Sequence, residues 1–290
     1  MATPAQWIAG ARPRTLPAAL APVLVGTGAA AALDGFDVVA ALLALLVALA
    51  LQVAVNYAND YSDGTRGTDT ERVGPMRLVG SGAAAPGQVL AAAGLAFAVA
   101  AVAGLGLAAR SSWWLVAVGV VCIVAAWTYT GGPVPYGYRA LGEVFVFVFF
   151  GPVAVVGTTY VQTGTLAGLA FAVAVPIGLL IVAILVVNNL RDIDGDASVG
   201  KQTLAVLIGA RATRITFAGL FAVAFAVIAA VGVGRPWALL GLLAAPLAVP
   251  PARVVLRGGR GPALIAALQG AGLVTLATGV LLGTGLALSG

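Results

Sequence analysis

The stretch Val38–Asp69, "VVAALLALLVALALQVAVNYANDYSDGTRGTD", opens with eighteen residues that carry no charge and closes on Asp60, Asp63 and Asp69. About 20 apolar residues suffice for a helix to cross the hydrocarbon core of a bilayer. The first part of the stretch therefore predicts a membrane span, and the aspartates mark where it leaves the lipid. Three carboxylates and two asparagines, Asn56 and Asn59, gathered at the end of one hydrophobic run require an explanation.

The rest of the chain has the same character. Of 290 residues, 61% are hydrophobic and 9% charged, against about a quarter charged in a soluble domain. There is no histidine, which excludes histidine base catalysis and zinc–imidazole sites, and the single cysteine, Cys122, excludes a disulfide framework. Arg12 and Arg14 precede an apolar stretch as in a secretory signal, but Pro17 and Pro22 interrupt it and further spans follow, so the segment is read as a retained first span.

Charge-free runs place nine spans, near 15–33, 38–58, 87–109, 112–130, 143–161, 165–189, 212–233, 236–251 and 262–288, in one transmembrane domain covering 1–290. The uncharged run Val144–Leu190 is 47 residues, too long for one crossing, and "QTG" at Gln162–Gly164 supplies the turn that divides it. With nine spans, thirteen of the fifteen cations fall on the side of the N-terminus, and only Arg110 and Arg235 fall opposite. The positive-inside rule then makes the N-terminus cytoplasmic and the C-terminus external, in the cell membrane. Eight of ten carboxylates share the cationic side, all but Asp34 and Asp37. Orientation rules do not ask for that, because acidic residues contribute little to them.

A second cluster, "NNLRDIDGDASVGK" at Asn188–Lys201, repeats the design of the first: amides at the end of an apolar span, spaced aspartates, then a glycine-bearing loop with a cation. On a helix, Asn56, Asn59 or Asp60 and Asp63 share one face, as do Asn189, Asp192 and Asp196, while Asp194 faces elsewhere. Four spans separate the clusters, so both emerge on one membrane face, as in a four-span repeat used twice with a ninth helix added. One such cluster is equally well explained by capping and solvation of a helix end; two matched clusters favour a shared site. Facing carboxylates repel unless a cation sits between them, and hard oxygen ligands together with a diphosphate suit magnesium. Arg66, Arg72, Arg77, Arg139, Arg191 and Lys201 lie near enough in sequence to neutralise the remaining phosphate charge.

At "NDYSDGTRGTD" and "NNLRDIDGD" the chain resembles the UbiA superfamily of intramembrane prenyltransferases, whose paired aspartate motifs bind a magnesium-complexed isoprenoid diphosphate. "RPRTLPAALAPVLVG", "TERVGPMRLVGSG" at Thr70–Gly82, "YTGGPVPYGYRALGEVFVFVFFG" at Tyr129–Gly151 and "GKQTLAVLIG" at Gly200–Gly209 are similar to the branch that prenylates 1,4-dihydroxy-2-naphthoate. The first motif departs from the commoner spacing: Gly67 stands four residues after Asp63, and the third aspartate is Asp69. The resemblance implies an all-α, nine-helix bundle. It also implies two magnesium ions held by Asp60, Asp63, Asp69, Asp192 and Asp196, with Asn56, Asn59, Asn188 and Asn189 beside them. Ionisation of a polyprenyl diphosphate, attack by the naphthoate ring and loss of its carboxylate would follow, aided by Lys201 and by the ring face of Tyr129, with Tyr136 and Tyr138 either helping or serving as interfacial residues. A lipid bilayer is the implied surrounding; nucleic acid is not an implied partner. Other acceptors of the superfamily, 4-hydroxybenzoate, a chlorophyllide or a glyceryl phosphate, remain alternatives. A transporter is a more distant one, disfavoured because the span centres hold no ionisable residue.

Overall fold

In the computed structural model, residues 2–66 and 76–290 are described. Each of the nine apolar segments coincides with a helix. The chain runs through a short α1 (Pro4–Gly10), α2 (Pro17–Ala31), α3 (Val38–Arg66), α4 (Pro86–Arg110) and α5 (Leu115–Thr128). A composite helix of α6 (Gly142–Val148), a π-helical segment (Phe149–Val156) and α7 (Gly157–Thr163) follows, then α8 (Gly168–Arg191) and α9 (Ile193–Ser198). The last part comprises α10 (Leu204–Gly234), a 3-10 segment (Pro236–Ala248) leading into α11 (Val249–Leu256), and α12 (Pro262–Ala287). In lipid every backbone polar group must be satisfied within the chain, which is why runs of Ala, Leu and Val resolve as helices.

The expectation of nine full crossings is modified. Among the described residues seven helices are long and apolar enough to span a membrane, whereas α2 and α5 are shorter apolar helices. At 1.5 Å per residue the 15 residues of α2 cover about 22 Å, short of the roughly 30 Å of hydrocarbon. The turn expected at "QTG" is present: α7 ends at Thr163, and Gly164 adopts the left-handed conformation (φ 71°) that ends a helix at low cost. Leu204–Gly234 is broken at Gly209 (φ 78°), so its long apolar part begins after that residue, as the expected 212–233 span does.

Glycines let these helices approach closely. A Cβ on Gly28 would lie 2.1 Å from the Gly283 carbonyl oxygen, and one on Gly283 would lie 2.7 Å from that of Leu24, so α2 and α12 touch backbone to backbone. With no hydrophobic drive between helices in lipid, such small-residue contacts supply the packing. The turns sort to two ends of the bundle. At one end Asp37 pairs with Arg110 at 2.8 Å. The amide of Ala40 first, and Arg110 next, hold the Asp37 carboxyl below its ordinary range. At the other end, Asn59 and Asp63 from the C-terminal part of α3 and Asn188 and Asn189 from that of α8 border one cavity.

Candidate functional site

The last turns of α3 carry the first cluster, and its members point to different partners. Asp60 is fully buried, and its two oxygens accept the backbone N–H groups of Leu78 (2.7 Å) and Val79 (3.0 Å). It staples the turn that follows the first motif and does not line the cavity described below. Asp60, expected as a metal ligand, is thus held by two backbone amides in this structure. Asn59 Oδ1 accepts from Thr130 Oγ1 (2.6 Å), and Asn56 Nδ2 donates to the carbonyl of Ala11 (2.9 Å) and to Thr15 Oγ1 (3.0 Å). Asp63 does face the cavity: Oδ1 accepts from the Tyr138 hydroxyl (2.8 Å), and Oδ2 lies 3.4 Å from Nη2 of the buried Arg77. Arg66 donates to the carbonyls of Thr130 and Gly132, so it fastens the loop after α5 and is not among the lining residues. The expected positions Asp69 and Arg72 lie outside the described residues.

The second cluster is not one continuous helix, as its spacing had suggested. Backbone angles at Asp192 (φ −95°, ψ 5°) interrupt the chain between α8 and α9. Asn189 Nδ2 donates to Oε1 of the buried Glu143 (3.0 Å). Arg191 folds back on its neighbour, with Nε 2.7 Å from Asp192 Oδ1 and Nη2 2.6 Å from Oδ2, and Nη2 also donates to Asn188 Oδ1 at 2.9 Å. Lys201 Nζ sits 3.3 Å from Asp196 Oδ1, and Asp194 is exposed, as expected. Arg139 is exposed and contributes backbone, pairing with Gln202 in an isolated bridge.

Tyr138 joins the two clusters, a role its sequence position did not disclose. Its hydroxyl holds Asp63, its ring lies 5.2 Å from Lys201 Nζ and 5.5 Å from the Arg66 guanidinium, and its carbonyl accepts the Gln202 N–H at 3.1 Å. A cation over a phenol ring is attracted by the ring quadrupole. The chain Asp63–Tyr138–Lys201–Asp196 thus binds the end of α3 to the end of α9.

Beneath this polar rim lies a cavity of about 370 Å³. Asn59, Asp63, Arg77, Asn188, Asn189 and Lys201 line it on the polar side, and Val47, Leu51, Leu107, Val153, Ile181 and Ile184 are among its apolar walls. One wall is an aromatic ladder, Tyr129–Tyr136 (5.4 Å between ring centres), Tyr136–Phe145 (4.1 Å) and Phe145–Phe149 (6.0 Å). The π-helical segment, which contains Pro152, sets Phe149 and Val153 onto this wall. Burial pushes the Tyr136 phenol up from its ordinary value, so it stays a neutral donor, bonded to the Ala125 carbonyl at 2.9 Å. Arg12, Thr15 and Gln52 also line the cavity and were not singled out as site residues in the sequence, where Arg12 was read only as an orientation charge. Asp192 and Asp196 stand behind the lining, the latter through Lys201. Among the described residues no three acidic or other metal-ligating side chains converge, and Asp69, the remaining member of the expected five-aspartate set, lies outside them.

A cavity with a charged, oxygen-rich mouth and a long apolar body suits a substrate with a polyanionic head and a hydrocarbon tail. Comparison with known proteins points the same way. A family model described as the UbiA prenyltransferase family matches residues 19–273. A 1,4-dihydroxy-2-naphthoate octaprenyltransferase from Mycobacterium tuberculosis is 54% identical over 276 residues, 95% of this chain and 94% of the relative. A protein of the same name from Escherichia coli is 40% identical over 87% of this chain and 85% of its own length. Among solved structures, a UbiA homolog from Aeropyrum pernix superposes with a TM-score of 0.68 at 17% identity, over 92% of this chain and 96% of that one. One from Archaeoglobus fulgidus, described as bound to GPP and Mg2+, gives 0.60 at 15% identity over 96% and 99%. At those identities the structural likeness is one of fold.

Proposed function

Because the chain belongs to the UbiA prenyltransferase family, we propose that it transfers a polyprenyl chain from its diphosphate to 1,4-dihydroxy-2-naphthoate, with loss of the carboxylate, yielding demethylmenaquinol, the quinol form of demethylmenaquinone, in menaquinone synthesis. The observation that carries the site assignment is the single cavity that unites Asp63 and Arg77 from the first cluster with Asn188, Asn189 and Lys201 from the second. Relatives of 54% and 40% identity that bear the naphthoate octaprenyltransferase name support the choice of acceptor.

The donor set fits magnesium. Asp63, Asp192 and Asp196 offer hard carboxylate oxygens, each in contact with a guanidinium or ammonium group. These three, with Asp69, are the residues that would hold two ions, and the diphosphate oxygens would fill the remaining positions. Bound magnesium supplies Lewis acidity to the departing diphosphate. Lys201 and Arg77 are placed to stabilise the same charge as the allylic carbon–oxygen bond breaks, and a fixed cation acts more strongly as that charge grows. The faces of Tyr129, Tyr136, Phe145 and Phe149 stabilise the allylic cation, and the apolar walls keep water from quenching it. A ring carbon of the naphthoate forms the new carbon–carbon bond to the allylic carbon, and carbon dioxide leaves to restore the aromatic ring.

The polypeptide forms one transmembrane domain over 1–290 with nine crossings, α2 and α5 being the short ones. The end bearing the two clusters faces the cytoplasm, as the distribution of Arg and Lys requires. Incubating the purified chain with magnesium, octaprenyl diphosphate and a panel of acceptors, followed by mass identification of products, tests the function. The proposal requires a product from 1,4-dihydroxy-2-naphthoate at the mass of the prenylated, decarboxylated quinol. Transfer only to 4-hydroxybenzoate, a chlorophyllide or a glyceryl phosphate would overturn it.

A further inference from the structure

Gln52 lines the cavity and is 8% exposed, on α3 one turn before Asn56. Its Nε2 donates to Thr15 Oγ1 at 3.1 Å. Thr15 Oγ1 donates its own hydrogen to the Arg12 carbonyl at 2.9 Å and accepts a second amide hydrogen from Asn56 Nδ2 at 3.0 Å. Asn56 cannot turn its amide over, because the same Nδ2 also donates to the Ala11 carbonyl at 2.9 Å. With the hydroxyl hydrogen committed to Arg12, the Gln52 group facing Thr15 is its NH2. The other end of that amide, Oε1, is buried and has no hydrogen-bond partner among the described residues. Native structures satisfy nearly all such buried acceptors, and an exception in a substrate cavity calls for a donor from outside the protein.

The two substrates differ in this respect. An isoprenoid tail carries no N–H or O–H, and the diphosphate head, ionised, accepts hydrogen bonds instead of donating them. Only the aromatic acceptor brings a hydroxyl. In 1,4-dihydroxy-2-naphthoate the 1-hydroxyl is bonded internally to the neighbouring carboxylate, which leaves the 4-hydroxyl as the free donor. We propose that Gln52 Oε1 accepts the 4-hydroxyl hydrogen of the naphthoate and so fixes the ring within the cavity, making Gln52 a specificity-determining residue for a phenolic acceptor. This rests on the acceptor reading above. The network that holds Gln52, Thr15 and Asn56 fixes the amide before the substrate arrives, which lowers the entropic cost of ordering it on binding.

The test compares equilibrium binding of 1,4-dihydroxy-2-naphthoate and 1-hydroxy-2-naphthoate to the full detergent-solubilised chain, with affinity for a non-hydrolysable polyprenyl thiodiphosphate measured alongside as a report on folding. The wild-type chain is expected to favour the diol about tenfold or more, roughly 1.4 kcal/mol. In Gln52→Met, similar in length but without the amide oxygen, that preference falls to about twofold while thiodiphosphate affinity is unchanged. Thr15→Val, which frees the amide to turn over, weakens the preference without touching Gln52 and decides the matter should Gln52→Met fail to fold. A full preference retained in either folded variant overturns the assignment. A wild-type chain that binds both naphthoates equally refutes the role of Gln52 alone, whereas one that binds neither refutes the acceptor reading itself.

Discussion

Replacing Tyr138 by Phe removes one hydroxyl and leaves the ring between Lys201 and Arg66 in place. The lost bond is the 2.8 Å contact to Asp63 Oδ1, the link between the two clusters. A hydrogen bond to a charged group contributes about 1.5–3 kcal/mol. Because Tyr138 is half-buried, the lower half of that range applies, and about 1.5–2.2 kcal/mol corresponds to a loss of roughly twelve- to fortyfold in kcat/KM. The loss should appear in kcat more than in KM for the diphosphate, since the hydroxyl orients a carboxylate that acts as charge develops. Steady-state assays with varied polyprenyl diphosphate and varied magnesium measure it, with thermal unfolding as a control for integrity. The magnesium concentration for half-maximal rate should also rise. An unchanged kcat and an unchanged magnesium requirement in a folded Tyr138→Phe protein would refute the claim that this residue couples the clusters.

Asp60→Ala leaves the amides of Leu78 and Val79 without their acceptor, and thermal unfolding in detergent should show a destabilisation of about 2–4 kcal/mol; a chain as stable as wild type would mean the staple contributes nothing. Lys201→Ala should lower kcat about a hundredfold, roughly 2.7 kcal/mol. Arg66→Ala, whose guanidinium is bound to loop carbonyls, should lower stability and leave the rate of the folded fraction within about threefold; equal rate losses in the two variants would contradict the distinction. Gly28→Ala places a Cβ against the Gly283 backbone and should cost about 3 kcal/mol, seen as a fall in Tm, with no change as the contrary result. Cysteines introduced at the exposed Ser81 and Thr165, in a Cys122→Ser background, should be labelled from the cytoplasmic and external sides respectively; the reverse pattern overturns the orientation.

The positions of the helices were legible in the sequence because a charge-free run in lipid has no alternative to a helix, and even the turn at Gln162–Gly164 was marked by its glycine. The first cluster was legible as residues of one helix end, whereas helical periodicity misplaced the second, because the chain breaks at Asp192 between α8 and α9. The partner of each carboxylate was not legible. Asp60 and Asp63 lie three residues apart at one helix end, yet one binds amides eighteen residues away in the chain and the other opens to the cavity. Only the path of the following turn decides between them. Gln52 was hidden because one amide in eighteen uncharged residues leaves a span's hydropathy almost unchanged, and Tyr138 because a tyrosine at a span end is equally suited to the membrane interface. The lengths of α2 and α5 were overestimated because Thr15, Leu16, Ala32 and Leu33 around α2, and Trp113, Trp114 and Tyr129 around α5, are compatible with a span by composition but lie outside the helix in the folded chain.

The most direct test of the central claim, that the two clusters act as one site, is a double-mutant cycle between Asp63→Asn and Asp196→Asn, read as the single-turnover rate of prenyl transfer at saturating magnesium. Residues that act as a unit are strongly non-additive. Each single variant should lose about a thousandfold or more, and the double variant should fall no more than about tenfold below the worse single. Losses that multiply in the double variant, or near wild-type turnover in either single one, would contradict a shared site.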